Sequence, residues 1–294
     1  MDTKYIATPA RTKEILHAYH FSFKKSLGQN FIIDANILEN MIHQSAIDNQ
    51  AGVIEVGPGI GALTEQLAIH ADNVLAYEID RRLLPVLKST LDKYDNVNIT
   101  NQDILEADVS ADIKTYFHSG QPIHIMANLP YYITTPILMK LIHDKLPVDS
   151  ITVMIQKEVA ERMAAGPNTK SYGSLSIAIQ YYTYPKLTMR VPKTVFMPQP
   201  NVDSTVLQLT KRPHPPVEVV DEPYFFSFVR ACFRQRRKTI RNNLVSHFKD
   251  VLDKEVVSDL LNDCMIEESR RGESLDMEEF ARAANAFYER TLRN

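Results

Sequence analysis

An amide, a proline and an aromatic ring follow one another at Asn128-Leu129-Pro130-Tyr131, directly after an apolar run. The amino group of an adenine is a poor nucleophile because its lone pair is delocalised, so acceptors that hold its hydrogens would draw it out of the ring plane. The Asn128 side chain and the Leu129 carbonyl could be those acceptors. Pro130 stiffens the turn, and Tyr131 offers a face for a stacked base. The tetrapeptide predicts a site for a flat, amine-bearing ring; a turn whose tyrosine fills the core is the alternative.

A glycine-rich turn, Glu55–Ala62, follows a second apolar run. Its sequence EVGPGIGA fits both the G-x-G-x-x-G/A fingerprint of dinucleotide-binding proteins and the E-x-G-x-G-x-G turn of S-adenosylmethionine-dependent methyltransferases. The backbone at Gly57 and Gly59 could approach a ligand closely in either case. Glu78 stands 21 residues after Gly57 and could bind a ribose hydroxyl of either cofactor. The turn alone therefore leaves the cofactor open.

Two further side chains bear on the choice of cofactor. Asp103 follows the third predicted strand, where it could accept a hydrogen bond from an adenine amino group, and Asn128 follows the fourth. The carboxyl ends of parallel strands form one edge of a sheet, so these residues and Glu78 would share that edge. Each acid alone is more often a solvated strand end or a helix cap. A hydride-transfer enzyme would need a nicotinamide pocket and a proton donor, for which the chain offers no convincing pair.

Short apolar runs alternate with helix-periodic segments from Val53 to Gln156, which predicts a parallel α/β sheet. The predicted strands are Val53–Val56, Asn73–Glu78, Val97–Gln102, Ile123–Ala127 and Ile151–Ile155, and the helices between them include Ala62–His70 and Arg81–Leu91. Two later β-rich runs, Ile177–Tyr184 and Val202–Leu209, have no long helical pattern between them. They predict an antiparallel end to the sheet.

The proline-rich segment Lys211–Pro223 reads as a connection between a first domain, residues 1–210, and a second, residues 211–294. Apolar spacing in the second domain predicts helices at Phe225–Phe248, Lys254–Asn262 and Met277–Arg290. On a helical wheel of the first of these, one sector contains only cations: Arg230, Arg234, Arg237, Lys238 and Arg241. This sector predicts a phosphate-binding face, with an ordinary solvated face as the alternative.

Composition limits the class of protein. The 294 residues are 44% hydrophobic with a net charge of -3, yet residues 211–249 carry nine basic and three acidic side chains, so positive charge is concentrated there. No apolar stretch is long enough to span a membrane and the N-terminus lacks a signal-peptide pattern, which predicts a soluble, cytoplasmic protein. Cys232 and Cys264 have no partners at metal spacing, so neither a metal site nor a disulfide framework is expected. The oligomeric state is open, with a monomer as the expectation.

With these residues in view, the chain resembles the KsgA family of ribosomal RNA small-subunit adenine dimethyltransferases over nearly its whole length. The segments that carry the resemblance are Ser26–Phe31, Glu55–Gly61, Glu78, Asn128–Tyr131, Phe196–Ser204 and Phe233–Leu244. The resemblance implies a Rossmann-like class I S-adenosylmethionine-dependent methyltransferase domain followed by a small all-α domain.

The resemblance also implies residue roles. The cofactor would be bound by Asn30, the backbone near Ile32, Gly57, Gly59, Glu78, Asp103 and Asn128. Leu129 would help bind the target amine, Pro130 would hold the turn, and the rings of Tyr131 and Phe196 would enclose a flipped adenine.

The implied reaction is methyl transfer to N6 of two adjacent adenines in a 3′-terminal hairpin loop of 16S ribosomal RNA, in the small subunit or its precursor. The product would be N6,N6-dimethyladenosine. Large-subunit methyltransferases of the antibiotic-resistance type share most of this cofactor machinery and are one alternative. An RNA-binding assembly factor without turnover and a nicotinamide-dependent oxidoreductase are the others. The sequence assigns no role to the segment Gly166–Gly173.

Overall fold

The computed structural model describes residues 5–24 and 27–292 of the chain. Ser26, at the start of the first resemblance segment, lies outside the described residues. The strands are β1 (Phe31–Ile32), β2 (Gly52–Val56), β3 (Asn73–Tyr77), β4 (Val97–Thr100), β5 (Ile123–Asn128), β6 (Ser150–Gln156), β7 (Thr183–Val191), β8 (Phe196–Met197) and β9 (Ser204–Lys211). The helices are α1 (Pro9–Ala18), α2 (Ala35–Gln44), α3 (Ala62–His70), α4 (Leu84–Thr90), α5 (Val109–Tyr116), α6 (Thr134–His143), α7 (Lys157–Met163), α8 (Ser174–Tyr182), α9 (Glu222–Cys232), α10 (Ile240–His247), α11 (Lys254–Asp263) and α12 (Met277–Leu292).

Seven strands form the main sheet in the order β4-β3-β2-β5-β6-β9-β7. The pairs among β4, β3, β2, β5 and β6 are parallel, and β9 runs antiparallel to β6. The parallel sheet with an antiparallel strand towards one end is therefore confirmed. Strand β2 is buried along its whole length, which explains its continuous apolar sequence. The chain builds outwards from β2 through β3 to β4 and then returns to β5 on the other side of β2, so the β2–β5 boundary is a topological switch point.

The chain divides into two compact units. The first takes in the chain up to Ala160 together with Pro185–Lys211, and the second takes in Glu161–Tyr184 and the chain from Arg212 onwards. The predicted first domain included Glu161–Tyr184, which the structure groups with the helical unit. Within the described residues, no helix combines the length and the apolar character that crossing a membrane requires.

The strand predicted at Ile177–Tyr184 is wrong, because helix α8 occupies the segment as far as Tyr182. Ile177, Ile179 and Tyr181 occupy every second position, which is the spacing expected of one face of a strand. In the structure all three are buried within a helix. A helix buried on several sides loses the one-sided apolar stripe that identifies it in a sequence. The Ser176 hydroxyl stabilises the start of α8, since it accepts a hydrogen bond from the Gly173 N–H at 3.1 Å.

The single helix predicted at Phe225–Phe248 is also wrong, because α9 ends at Cys232 and α10 begins at Ile240. The buried Asn243 side chain stabilises the intervening turns: it donates to the Cys232 carbonyl at 2.9 Å and accepts from the Gln235 N–H at 3.1 Å. Such side-chain bonds compete with the backbone ladder of a continuous helix. Arg234, Arg237 and Lys238 consequently lie in the turns, so the five cations do not share one helical face.

Candidate active site

One pocket in the first unit lies at the carboxyl ends of β2, β3 and β5, beside the switch point. Its lining brings together residues that are far apart in sequence, including every predicted cofactor residue and the whole tetrapeptide: Asn30, Ile32, Gly57, Gly59, Glu78, Asp103, Asn128, Leu129, Pro130 and Tyr131. The roles of these residues stay predictions. The residues from Gly57 onwards meet because parallel strands end at the same edge, whereas Asn30 and Ile32 come from the region of β1, which pairs with β8 in a separate two-stranded sheet.

The glycine turn is stabilised by a carboxylate from the neighbouring strand. The Gly59 N–H donates to Glu78 Oε2 at 3.1 Å, and the Asp80 N–H donates to Glu78 Oε1 at 2.8 Å. Burial raises the pKa of Glu78, while these two backbone hydrogen bonds oppose the shift by favouring the carboxylate. Glu78 therefore links the glycine turn that follows β2 to the segment that follows β3.

The Asn128 amide has a defined orientation. Its Nδ2 donates to the Asn30 carbonyl oxygen at 3.0 Å, and the Asn30 side chain donates in turn to the Gly28 carbonyl at 3.0 Å. A carbonyl oxygen can only accept, so the amide atom facing Asn30 must be the nitrogen. Asn128 Oδ1 is consequently the acceptor left for a ligand in the pocket.

The two aromatic residues predicted to enclose a base differ in their environments. The Tyr131 hydroxyl hydrogen-bonds to the hydroxyl of the buried Ser204 at 2.8 Å, which anchors its ring at the pocket. Burial raises the pKa of Tyr131. Phe196 instead packs in the core of the first unit, with its backbone paired to Ile32, and it is not among the residues that line the pocket.

Glu55 lines the pocket as well, although the sequence assigns it no role beyond the glycine motif. It is almost fully buried on β2, and its Oε2 has no hydrogen-bond partner within the described part of the chain. Burial raises the pKa of Glu55 to about 8. The Thr64 side chain opposes this shift, but burial outweighs it. A buried carboxyl group is costly to a fold, and its place in the pocket is a signal of function that the E-x-G-x-G-x-G pattern already contained.

We expect Glu55→Gln to change how stability depends on pH. Between the ordinary glutamate pKa of 4.5 and the folded value of about 8, the unfolded chain releases the Glu55 proton and the folded chain keeps it. The free energy of unfolding should therefore fall by about 1.4 kcal/mol per pH unit in this window from this group alone. Urea unfolding of the ligand-free protein should show the Gln variant gaining stability over the wild type as pH rises.

The control for that experiment is Glu106→Gln, which removes an exposed carboxylate of the same unit. Its pH profile should follow that of the wild type. If the free energy of unfolding depended on pH in the same way in the wild type and in Glu55→Gln, Glu55 would not have the raised pKa.

The predicted RNA-binding residues lie in the second unit, where Arg230, Arg234, Arg237 and Lys238 are exposed. Arg241 differs, because its Nε donates to Ser258 Oγ at 2.7 Å and pairs with Glu268 at 2.8 Å. Arg236 is also engaged internally: its guanidinium donates to the carbonyls of Lys170 and Tyr172 at 2.6 and 3.0 Å. Arg236 thereby holds the segment Gly166–Gly173 against the turns between α9 and α10.

Comparison with known proteins agrees with this geometry. The family model described as ribosomal RNA adenine dimethylase matches residues 20–283. The chain is 63% identical over 286 residues to Ribosomal RNA small subunit methyltransferase A of Oceanobacillus iheyensis, and the match covers 97% of each chain. It is 57% identical over 284 residues to the protein of that name from Bacillus cytotoxicus, and this match covers 96% of this chain and 97% of the relative.

Among solved structures, a dimethyladenosine transferase from Plasmodium falciparum matches with a TM-score of 0.72 at 23% identity, covering 88% of this chain and 98% of that one. This likeness confirms the predicted fold, a Rossmann-like class I methyltransferase domain followed by a helical domain. Because the family model spans most of the sequence and the two bacterial relatives match over nearly their full length, the chain belongs to the ribosomal RNA adenine dimethylase family.

Proposed function

We propose that this protein transfers methyl groups from S-adenosylmethionine to N6 of two adjacent adenines in a 3′-terminal hairpin loop of 16S ribosomal RNA. The product is N6,N6-dimethyladenosine, formed in the cytoplasm during assembly of the small ribosomal subunit by a protein that acts as a monomer. The observation that carries the proposal is the Asn128 amide, whose nitrogen is held by the Asn30 carbonyl while its oxygen is left for an amine donor in the pocket. The relatives named for the small subunit support this substrate over large-subunit RNA.

The charge of the pocket supports a cationic cofactor. Glu55, Glu78 and Asp103 line it, whereas no lysine, arginine or histidine occurs among the described residues of the lining. A sulfonium group and an ammonium group are attracted to the carboxylates of Glu78 and Asp103, which repel the pyrophosphate of a nicotinamide dinucleotide. Glu55 adds no charge near neutral pH, because burial raises its pKa to about 8. The unpartnered Glu55 Oε2 fits a ligand that forms a hydrogen bond with the buried carboxyl group.

The residues of the pocket contribute mainly by positioning. The bound sulfonium supplies an already electrophilic methyl group, so a strong general base is unnecessary. Asn128 Oδ1 and the Leu129 carbonyl accept the hydrogens of the target amine and turn its lone pair towards that methyl group. The Tyr131 ring, anchored through Ser204, stacks on the extruded base and offsets part of the cost of unstacking it.

The proposal is tested by incubating the protein with labelled S-adenosylmethionine and undermethylated ribosomal subunits. Label should enter adenine of the small-subunit RNA. Transfer only to the large subunit would replace the proposal with the resistance-type activity. An absence of transfer to either subunit, with RNA still bound, would indicate an assembly factor, and binding of nicotinamide dinucleotide in place of S-adenosylmethionine would indicate an oxidoreductase.

RNA phosphates bind the exposed cations of the second unit in this proposal. We expect Arg237→Ala to weaken binding of small-subunit RNA and to lower the slope of log affinity against log salt by about one, because one phosphate contact is lost. Arg236→Ala is the matched comparison, since Arg236 Nη2 already donates to two carbonyls and pairs with the carboxylate of Glu273. Filter binding at several salt concentrations measures both slopes, and equal changes in slope for the two variants would contradict this division of roles.

A further inference from the structure

An exposed aromatic ring stands at the mouth of the pocket without a role in the reaction described so far. Tyr132 is 58% exposed, yet it lines the same pocket as Tyr131 and Asn128. One edge of its ring lies close to Gly28, where a Cβ would come 3.2 Å from Tyr132 Cδ1. A glycine at this position leaves room for that edge, while more than half of the side chain stays exposed to solvent.

The local backbone explains why two consecutive tyrosines are used differently. The Ile133 N–H donates to the Pro130 carbonyl at 3.2 Å, which closes a turn with Tyr131 and Tyr132 at its two central positions. The Tyr131 hydroxyl is held by the buried Ser204. Tyr132 has the opposite environment, because its ring is exposed at the rim. The turn therefore presents two aromatic rings to one pocket, one anchored and one open.

We propose that Tyr132 binds the nucleobase next to the target adenine by stacking, an inference that rests on the proposed function. The neighbouring nucleotide is joined covalently to the flipped one, so it must leave the pocket through the mouth at which Tyr132 lies. In single-stranded RNA its base has lost a stacking partner, and an exposed aromatic face replaces that partner. When the two target adenines are adjacent, one of them occupies the Tyr132 position while the other is methylated, because a fixed strand direction places either the 5′ or the 3′ neighbour there.

The interaction requires the ring and not the hydroxyl. We expect Tyr132→Ala to raise KM for undermethylated small subunits by about 10-fold, the loss that removal of one base–aromatic stack produces. Tyr132→Phe should keep a KM close to that of the wild type. Affinity for S-adenosylmethionine, measured by calorimetry, should change less than about 2-fold in both variants, because stacking on the flanking base involves RNA alone.

A second measurement ties the effect to the flanking base. Small subunits are assembled on transcribed RNA in which uracil, a weaker stacking partner, replaces either the first or the second of the two adenines, and methylation of the remaining adenine is followed. The wild type and Tyr132→Phe should lose efficiency with one of these two uracil substrates, whereas Tyr132→Ala should show little further loss with it.

Three results would overturn the inference. The first is an unchanged KM for Tyr132→Ala. The second is an equal loss of methylation efficiency in all three proteins with the uracil substrates. The third is a loss of S-adenosylmethionine affinity in Tyr132→Ala as large as the rise in KM, which would mean that Tyr132 contacts the cofactor. Failure of the wild type to methylate small subunits at all would instead refute the proposed function, so the two failures are distinguishable.

Discussion

Asn128→Ala should lower kcat for methyl transfer to small-subunit RNA by about 100-fold, the loss typical of removing one preorganised hydrogen-bonding group from a reacting centre. The substitution removes Oδ1, the acceptor for the target amine in the proposed function, and also the donor to the Asn30 carbonyl. Loss of the donor to Asn30 should have a smaller effect on cofactor binding than loss of Oδ1 has on the rate, because Asn30 retains its own bond to Gly28. Single-turnover methylation gives the rate, and calorimetry with S-adenosylhomocysteine should show an affinity reduced by less than about 10-fold.

The matched control is Asn262→Ala, which removes an exposed amide from the second unit. It should leave both the rate and the cofactor affinity unchanged. An Asn128→Ala protein with a wild-type kcat would show that the amine is activated by other groups, whereas a loss of affinity equal to the loss of rate would make Asn128 a cofactor residue alone.

The sequence predicts the core of the first unit well because that region has strong local signals. Strand β2 and helix α3 are separated by a glycine turn, and the predicted bounds Ala62–His70 agree with the structure. Prediction fails where burial removes periodicity, as in α8, and where one polar side chain inside a predicted helix bonds to the backbone and interrupts the regular pattern. Asn243 is such a residue, since its amide stabilises turns in the middle of an otherwise helical spacing.

For the site, sequence spacing predicts which residues meet but not what each polar atom does. Most residues of the pocket follow parallel strands, so their convergence is a consequence of topology; Asn30 and Ile32 reach it from the region of β1, which lies outside the main sheet. The free Asn128 oxygen depends on a carbonyl 98 positions away in the sequence, which no local pattern encodes. The sequence likewise does not distinguish Tyr131 from Tyr132, because they are adjacent residues of the same type. Only the packing shows that Tyr131 is anchored and Tyr132 is exposed.

Gly57→Ala should abolish most S-adenosylmethionine binding without preventing folding. Gly57 has φ of +73°, and a Cβ built there meets no protein atom within 4 Å. Gly57 also lines the pocket, and in the proposed function the cofactor occupies the open space that the added methyl group would enter. Overlap of this kind should reduce affinity by about 10- to 100-fold in calorimetric titration, while the left-handed backbone costs about 1–2 kcal/mol of stability.

Gly120→Ala separates these two effects, because Gly120 has a similar φ of +81°, an equally open Cβ position, and no place in the lining of the pocket. The two variants should lose comparable stability in urea unfolding, and only Gly57→Ala should lose cofactor affinity. Equal affinities for the two variants would mean that the ligand does not approach the Gly57 backbone, and the cofactor would then have to bind elsewhere than against the glycine turn.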